Sequence, residues 1–195
     1  MKTIKLFLLL TLTSVFAQAQ TIWNVDNVHS TVRFTIAHMV ISEIDGNFTD
    51  FSGSINYTKP DLSDAAIDFS INTNSVNTRN AKRDGHLKSP DFFDVSKYPT
   101  INFKSTSVTH KEGKNYLLKG HLTMHGVTKP IELNLFYAGS IKDNRGNFKA
   151  GYKVKGSLKR SDYGLKYNSV MDNGGVVIGN KVSFDIKLEN KQAKK

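Results

Sequence analysis

The chain has 195 residues, no cysteine and a formal charge of +10, with 38% hydrophobic and 23% charged residues. Without cysteine there is no disulfide, no thiol nucleophile, no zinc–thiolate site and no lipid-bearing cysteine, so the fold must rest on an apolar core that this length can build as one domain. The basic excess is spread as alternating lysines such as Lys149, Lys153 and Lys155, which marks a solvated face and not the clustered, aromatic-interleaved footprint of a nucleic-acid binder; weak attraction to an anionic membrane surface suits it better.

The first residues read as a leader. Lys2 and Lys5 form a basic start, Leu6–Leu12 a short apolar stretch, and Ala17-Gln18-Ala19 a small-residue cleavage site. Cleavage after Ala19 would place the mature chain in the periplasm or outside the cell and lower the formal charge from +10 to +8 by removing Lys2 and Lys5. Leu6–Leu12 is too short to span a bilayer, and no later segment is long and apolar enough for a transmembrane helix. The expected organisation is a leader over 1–19, one β domain over 20–190, and a basic tail, KQAKK, over 191–195.

From there the sequence is strand after strand. Val32, Phe34, Ile36 and His38 share one parity, and Arg33 and Thr35 the other. That period of two is the mark of a half-buried strand. Phe51, Gly53, Ile55 and Tyr57 repeat the pattern, as do Ala65, Ile67, Phe69 and Ile71. Thr78–Lys88 breaks it: the stretch has little β-branched content and a cap residue ahead, so it predicts a short helical excursion ending in Phe92-Phe93 over one mouth, with an ordinary loop as the alternative. Ile101 and Phe103 resume the alternation. Leu118, Leu122 and Met124 face one way; Lys119, His121 and Thr123 face the other. His125-Gly126 then makes a hairpin corner into the alternating run Ile131–Tyr137. Tyr152, Val154 and Leu158 follow, then Val182, Phe184, Ile186 and Leu188. Turns are expected at Asp45-Gly46, Lys59-Pro60, Glu112-Gly113, Asn144-Arg145-Gly146 and Asn173-Gly174-Gly175.

Eight or nine antiparallel strands at short spacing make a sandwich or a barrel. Because the lysine-bearing parity must face water, the apolar parity is internal, the reverse of a membrane barrel. Small residues on that parity, among them Gly53, Ala65, Gly120, Ala150 and Gly156, together with Ala37, leave room inside; a fully packed core is the alternative.

Catalytic signatures are absent: there is no G-x-S-x-G elbow, P-loop or H-E-x-x-H. His121 and His125, four apart on a strand, are separated by about 13 Å and cannot share a metal. His125 reads instead as a corner residue bonded to backbone. His38 and Arg160 break an otherwise apolar parity. Each needs a partner: a neighbouring protein group (for Arg160, Asp162 or another carboxylate) or the headgroup of a ligand. Arg83 and His86 lie in the helical excursion, either solvated or close to the same headgroup.

Four separated stretches resemble the YceI-like, polyisoprenoid-binding family: Trp23–Met39 (WNVDNVHSTVRFTIAHM), Ser89–Ser105 (SPDFFDVSKYPTINFKS), Leu122–Pro130 (LTMHGVTKP) and Leu158–Leu165 (LKRSDYGL). The resemblance implies an all-β fold, an extended antiparallel lipocalin-like barrel with an elongated tunnel for an isoprenoid or similar long-chain lipid. It implies no catalysis, no metal and no cofactor beyond that ligand. Parity then nominates the lumen wall as Phe34, Ile36, His38, Phe51, Phe69, Phe92, Phe103, Leu122, Met124, Tyr152, Val154, Arg160, Phe184 and Ile186, with His38, Arg83, His86 and Arg160 toward the headgroup. Two other readings stay open. One is a ligand-free stress-response or protein-interaction module; the other is an enzyme pairing His38 with a carboxylate such as Asp26. A homodimer is compatible with all of them.

Overall fold

The computed structural model describes residues 20–170 and 175–193. The expected leader and its cleavage site, most of the Asn173-Gly174-Gly175 turn and the last two lysines of the tail lie outside these residues.

The strands are β1 (Thr21–Val25), β2 (Thr31–His38), β3 (Ser42–Phe48), β4 (Phe51–Tyr57), β5 (Ala66–Asn72), β6 (Val76–Asn77), β7 (Thr100–Glu112), β8 (Asn115–Met124), β9 (Val127–Lys142), β10 (Phe148–Lys159) and β11 (Ile178–Gln192). One helix, α1 (Ala81–Lys88), separates β6 from β7. From β4 onward, β5, β7, β8, β9, β10 and β11 pair in succession, all antiparallel. Closure comes from β1, which pairs with β4 on one side and with the end of β11 on the other. The earlier part of β11 pairs with β2. So β1 and β2 are two halves of one bent strand lying along β11, and β3 and β4 are likewise halves bent at Thr49-Asp50. Counted this way, the barrel has eight strands and is closed.

The bend between β1 and β2 is fastened by a polar cluster. Asp26 caps a 3-10 turn over Asn27–His29, accepts from His29 Nδ1 at 2.8 Å and pairs with Lys191 Nζ at 2.7 Å. These contacts hold its carboxyl down at about 2. Lys191 thus belongs to β11, not to a tail beginning at 191. Asp26, His29 and Glu189 bring one ligand atom each within 4.8 Å of one another. Lys191 and Lys149 already pair with these two carboxylates, so the cluster reads as a tie between β1, β2 and β11.

Helix α1 occupies the predicted excursion. Asn80 caps it by accepting from Arg83 N at 3.0 Å, and Asp84 turns back to accept from Thr78 N at 2.8 Å. The corner at His125-Gly126 is a two-residue hairpin turn with φ of 51° and 76°, the twist that suits paired strands. The expected turn at Asp45-Gly46 is overturned. Both residues lie inside β3, with Gly46 opposite Phe34. The β2–β3 reversal is instead Met39-Val40-Ile41, where Met39 and Val40 have φ of 53° and 67°. A β-branched residue in this left-handed region costs about 1–2 kcal/mol.

Candidate functional site

The barrel encloses a cavity of about 380 Å3. Its wall is built from the apolar parity of nearly every strand: Phe34 and Ile36 from β2, Phe69 and Ile71 from β5, Phe103 from β7, Leu133 and Leu135 from β9, Val154 from β10, Phe184 and Ile186 from β11. An eight-stranded barrel is ordinarily just wide enough for its own side chains or one small ligand.

Space is kept by glycines opposite phenyl rings. A methyl placed on Gly53 would sit 2.5 Å from the Phe69 ring, and one on Gly156 2.7 Å from the Phe184 ring. Gly46 stands in the same relation to Phe34, and Gly120 to Phe103. Each ring therefore lies flat over a bare backbone position instead of projecting inward. This corrects the expectation that these glycines themselves leave voids. Ala37, also expected inside, is exposed on the Arg33 parity and borders the cavity only together with Arg33.

One end of the cavity is aromatic. Tyr152 is buried and stacks on Tyr137 at 5.1 Å, and Trp23 stacks on Tyr57 at 6.2 Å. Burial, with Tyr137 adding to it, pushes the Tyr57 hydroxyl up to about 12. Burial likewise raises Tyr152.

The other end is the mouth, where most of the polar lining gathers, His38, Thr78, Arg83, His86 and Arg160, with Arg33 bordering the cavity from the outward parity of β2. Arg160 is only 6% exposed. Its guanidinium donates to Leu165 O at 2.7 Å, Gly179 O at 2.9 Å and Ile178 O at 3.4 Å. Burial lowers its pKa, yet an arginine stays cationic in a protein. Its ion pair with Asp162, one of the two alternatives, is not formed; Asp162 is exposed and carbonyls serve as the partners. Arg83 Nε donates to Thr78 Oγ1 at 2.7 Å and Nη2 to Thr78 O at 2.9 Å. His86 bonds Asp91 at 2.9 Å, with its ring against Phe92 and Tyr167. No Asp or Glu lines the cavity among the described residues. Arg83 and Arg160 at the opening pair with no carboxylate among those residues, while His86 pairs with Asp91 just outside it.

A YceI-like domain model matches residues 23–190. The chain belongs to the YceI-like family. A UPF0312 protein of Pectobacterium carotovorum is 39% identical over 137 residues, which are 70% of this chain and 71% of the relative. The Campylobacter jejuni YceI crystal structure matches at TM-score 0.69 and 31% identity, over 82% of this chain and 91% of that one. A polyisoprenoid binding domain from Saccharophagus degradans, implicated in plant cell wall breakdown, shares the fold at TM-score 0.64 and 19% identity, over 88% of this chain and 98% of that one.

Within this YceI-like barrel most of the nominated residues stand on the cavity wall: Phe34, Ile36, His38, Phe69, Phe92, Phe103, Leu122, Met124, Tyr152, Val154, Arg160, Phe184 and Ile186. Arg83 and His86 join them at the mouth. Phe51 does not line the cavity; its ring stacks on Phe69 at 5.9 Å. His125 lies with its ring 4.4 Å from that of Tyr98, so ring packing is what seats it. Asp26 and His38 stand at opposite ends of β2 and form no catalytic pair. Parity missed Leu87, Phe93 and Leu165, which lie outside the strands and carry no period to read.

Proposed function

We propose that this protein holds a polyisoprenoid or similar long-chain apolar molecule inside the barrel, for transport, storage or sequestration. The tail runs toward Tyr152 and the headgroup rests at the mouth among His38, Arg83, His86 and Arg160. The observation that carries this reading is the apolar cavity of about 380 Å3, open at one mouth, whose polar lining is mostly cationic or imidazole and largely confined to that mouth. Removing a chain from water there yields about 25 cal/mol per Å2 of apolar surface, and the volume falls in the range of small-molecule pockets, about 300–1,000 Å3. The headgroup best suited is an anion or a carbonyl, which accepts from these donors. Arg83, His86 and Arg160 are held in place at the mouth by Thr78, Asp91 and backbone carbonyls respectively, which fixes their donors toward a headgroup. Membership of a family that includes a polyisoprenoid binding domain supports the ligand class. The leader expected over 1–19 would place the protein in the periplasm or outside the cell.

The test is an organic extract of the purified protein read by mass spectrometry, with calorimetric titration of farnesol and farnesyl pyrophosphate into delipidated protein. A co-purifying long-chain lipid, tighter binding of the pyrophosphate and loss of that preference in Arg83→Gln are expected. An empty extract with no binding of either compound overturns the reading.

A further inference from the structure

The rim of the cavity is apolar where a hairpin tip ordinarily carries Gly, Asn or Asp. Val40 is 74% and Ile41 89% exposed. Val40 adopts φ of 67° and gains no burial in return. Backbone strain that the packing does not reward points to a function for the segment. The tip is continuous with the mouth, because His38 immediately before it lines the cavity and Met39 N donates to Val177 O at 2.7 Å. Beside it a second stretch of rim is also apolar and open: Val170, 76% exposed, bridges to Val176, and exposed Tyr167 lies against His86 and Phe92. Apolar groups exposed together around an opening mark an interaction surface.

The charge around this rim selects the partner. Lys159 and Lys181 stand directly opposite each other on β10 and β11, a like-charge pairing that works against the sheet. Lys166 and Lys82 are exposed close by, on the segment after β10 and on α1. None of the four makes an ion pair among the described residues, so their charge at this rim is free to meet an anionic partner.

We propose that this rim docks on an anionic lipid bilayer. Val40 and Ile41 insert among the acyl chains while Lys159, Lys166 and Lys181 meet the phosphates, an apolar wedge in a cationic collar. The cavity then opens into the membrane instead of into water. That its ligand passes through this contact rests on the lipid-holding reading above; the docking itself does not.

The test is co-sedimentation of the purified protein with vesicles of phosphatidylglycerol and phosphatidylcholine, against vesicles of phosphatidylcholine alone. Wild type should partition onto the anionic vesicles and be released by added salt. The Val40→Asn/Ile41→Ser variant should partition about tenfold less. Its thermal midpoint should be unchanged or higher, since Asn tolerates the left-handed backbone. Replacing Lys159 and Lys181 by Gln should weaken partition by about fivefold each. Failure of wild type to sediment with anionic vesicles at low salt, or equal partition of the tip variant, overturns the docking. Farnesol titration without vesicles examines the cavity separately, and there the tip variant should match wild type.

Discussion

Gly156→Ala probes how the lumen is kept open. A methyl at this position would lie 2.7 Å from both Phe184 Cζ and Leu133 Cδ2. Packed carbons stand about 3.5–4.0 Å apart, so the ring must retreat by about 1 Å, and the cavity it lines is the open side. In the empty protein that retreat meets only space. Overpacking ordinarily costs about 1–3 kcal/mol, while alanine in place of a strand glycine returns about 0.5–1 kcal/mol. The delipidated variant should therefore lose about 1 kcal/mol or less in urea unfolding. With a chain in the lumen the ring has nowhere to go and the full overpacking cost falls on the complex. Since each 1.4 kcal/mol is tenfold in affinity, farnesol should bind about ten- to hundredfold more weakly by calorimetry. Adding Phe184→Leu should restore binding in part, because the shorter side chain clears the methyl on the ring side while the contact with Leu133 Cδ2 remains. A stability loss of about 3 kcal/mol with unchanged farnesol affinity would refute the reasoning: the rings would then be packing elements and not the lining of a bore.

Arg160→Met should destabilise the protein by roughly 3 kcal/mol or more in urea unfolding, because it strands three carbonyls at Leu165, Ile178 and Gly179; loss of pyrophosphate affinity at undiminished stability would instead make Arg160 a headgroup ligand and little else. Asp26→Asn should cost on the order of 1–2 kcal/mol at neutral pH, where the carboxylate pairs with Lys191 and His29. The folded-state pKa is lowered to about 2 from an ordinary 3.8, so this contribution is present above pH 3.8 and is lost as pH falls toward 2; the gap between wild type and variant in denaturant melts should close across that window, and a gap that persists below it would contradict the assignment.

What the sequence shows of this fold follows from how far each signal reaches along the chain. Side-chain parity is local, so Phe34, Ile36 and His38 on β2, and Phe184 and Ile186 on β11, were placed on the cavity wall from alternation alone. Arg160 too was legible, as a cation breaking an apolar parity. Its partners were not, because Gly179 and Ile178 reach it from another strand through backbone atoms that no residue type announces. Register between strands is equally silent. Asp45-Gly46 carries the strongest dipeptide signal for a hairpin, yet Gly46 is a strand residue because a phenyl ring from β2 needs its bare backbone. The true reversal, Met39-Val40-Ile41, reads as ordinary strand because its side chains are apolar and two of them are β-branched. Phe51 shows the converse limit: parity sends a ring inward but does not say that Phe69 stands in front of it.

The double pairing of β11 sets the order in which the molecule can assemble. Trp23 faces Gln192 and Val25 faces Asn190, so the first strand finds one of its two edges only when the last has been made. Until then β1 hangs on β4 alone, β2 has only β3, and β10 presents a free edge of hydrogen-bonding groups. Contacts so distant in sequence form slowly, and an open sheet with an uncovered apolar face is prone to pair with its neighbours. A chain shortened by a few residues at its end loses the partner of Asp26 as well as the final ladder rungs. The end of β11 acts as the latch of the barrel, and a growing chain stays unlatched until it arrives.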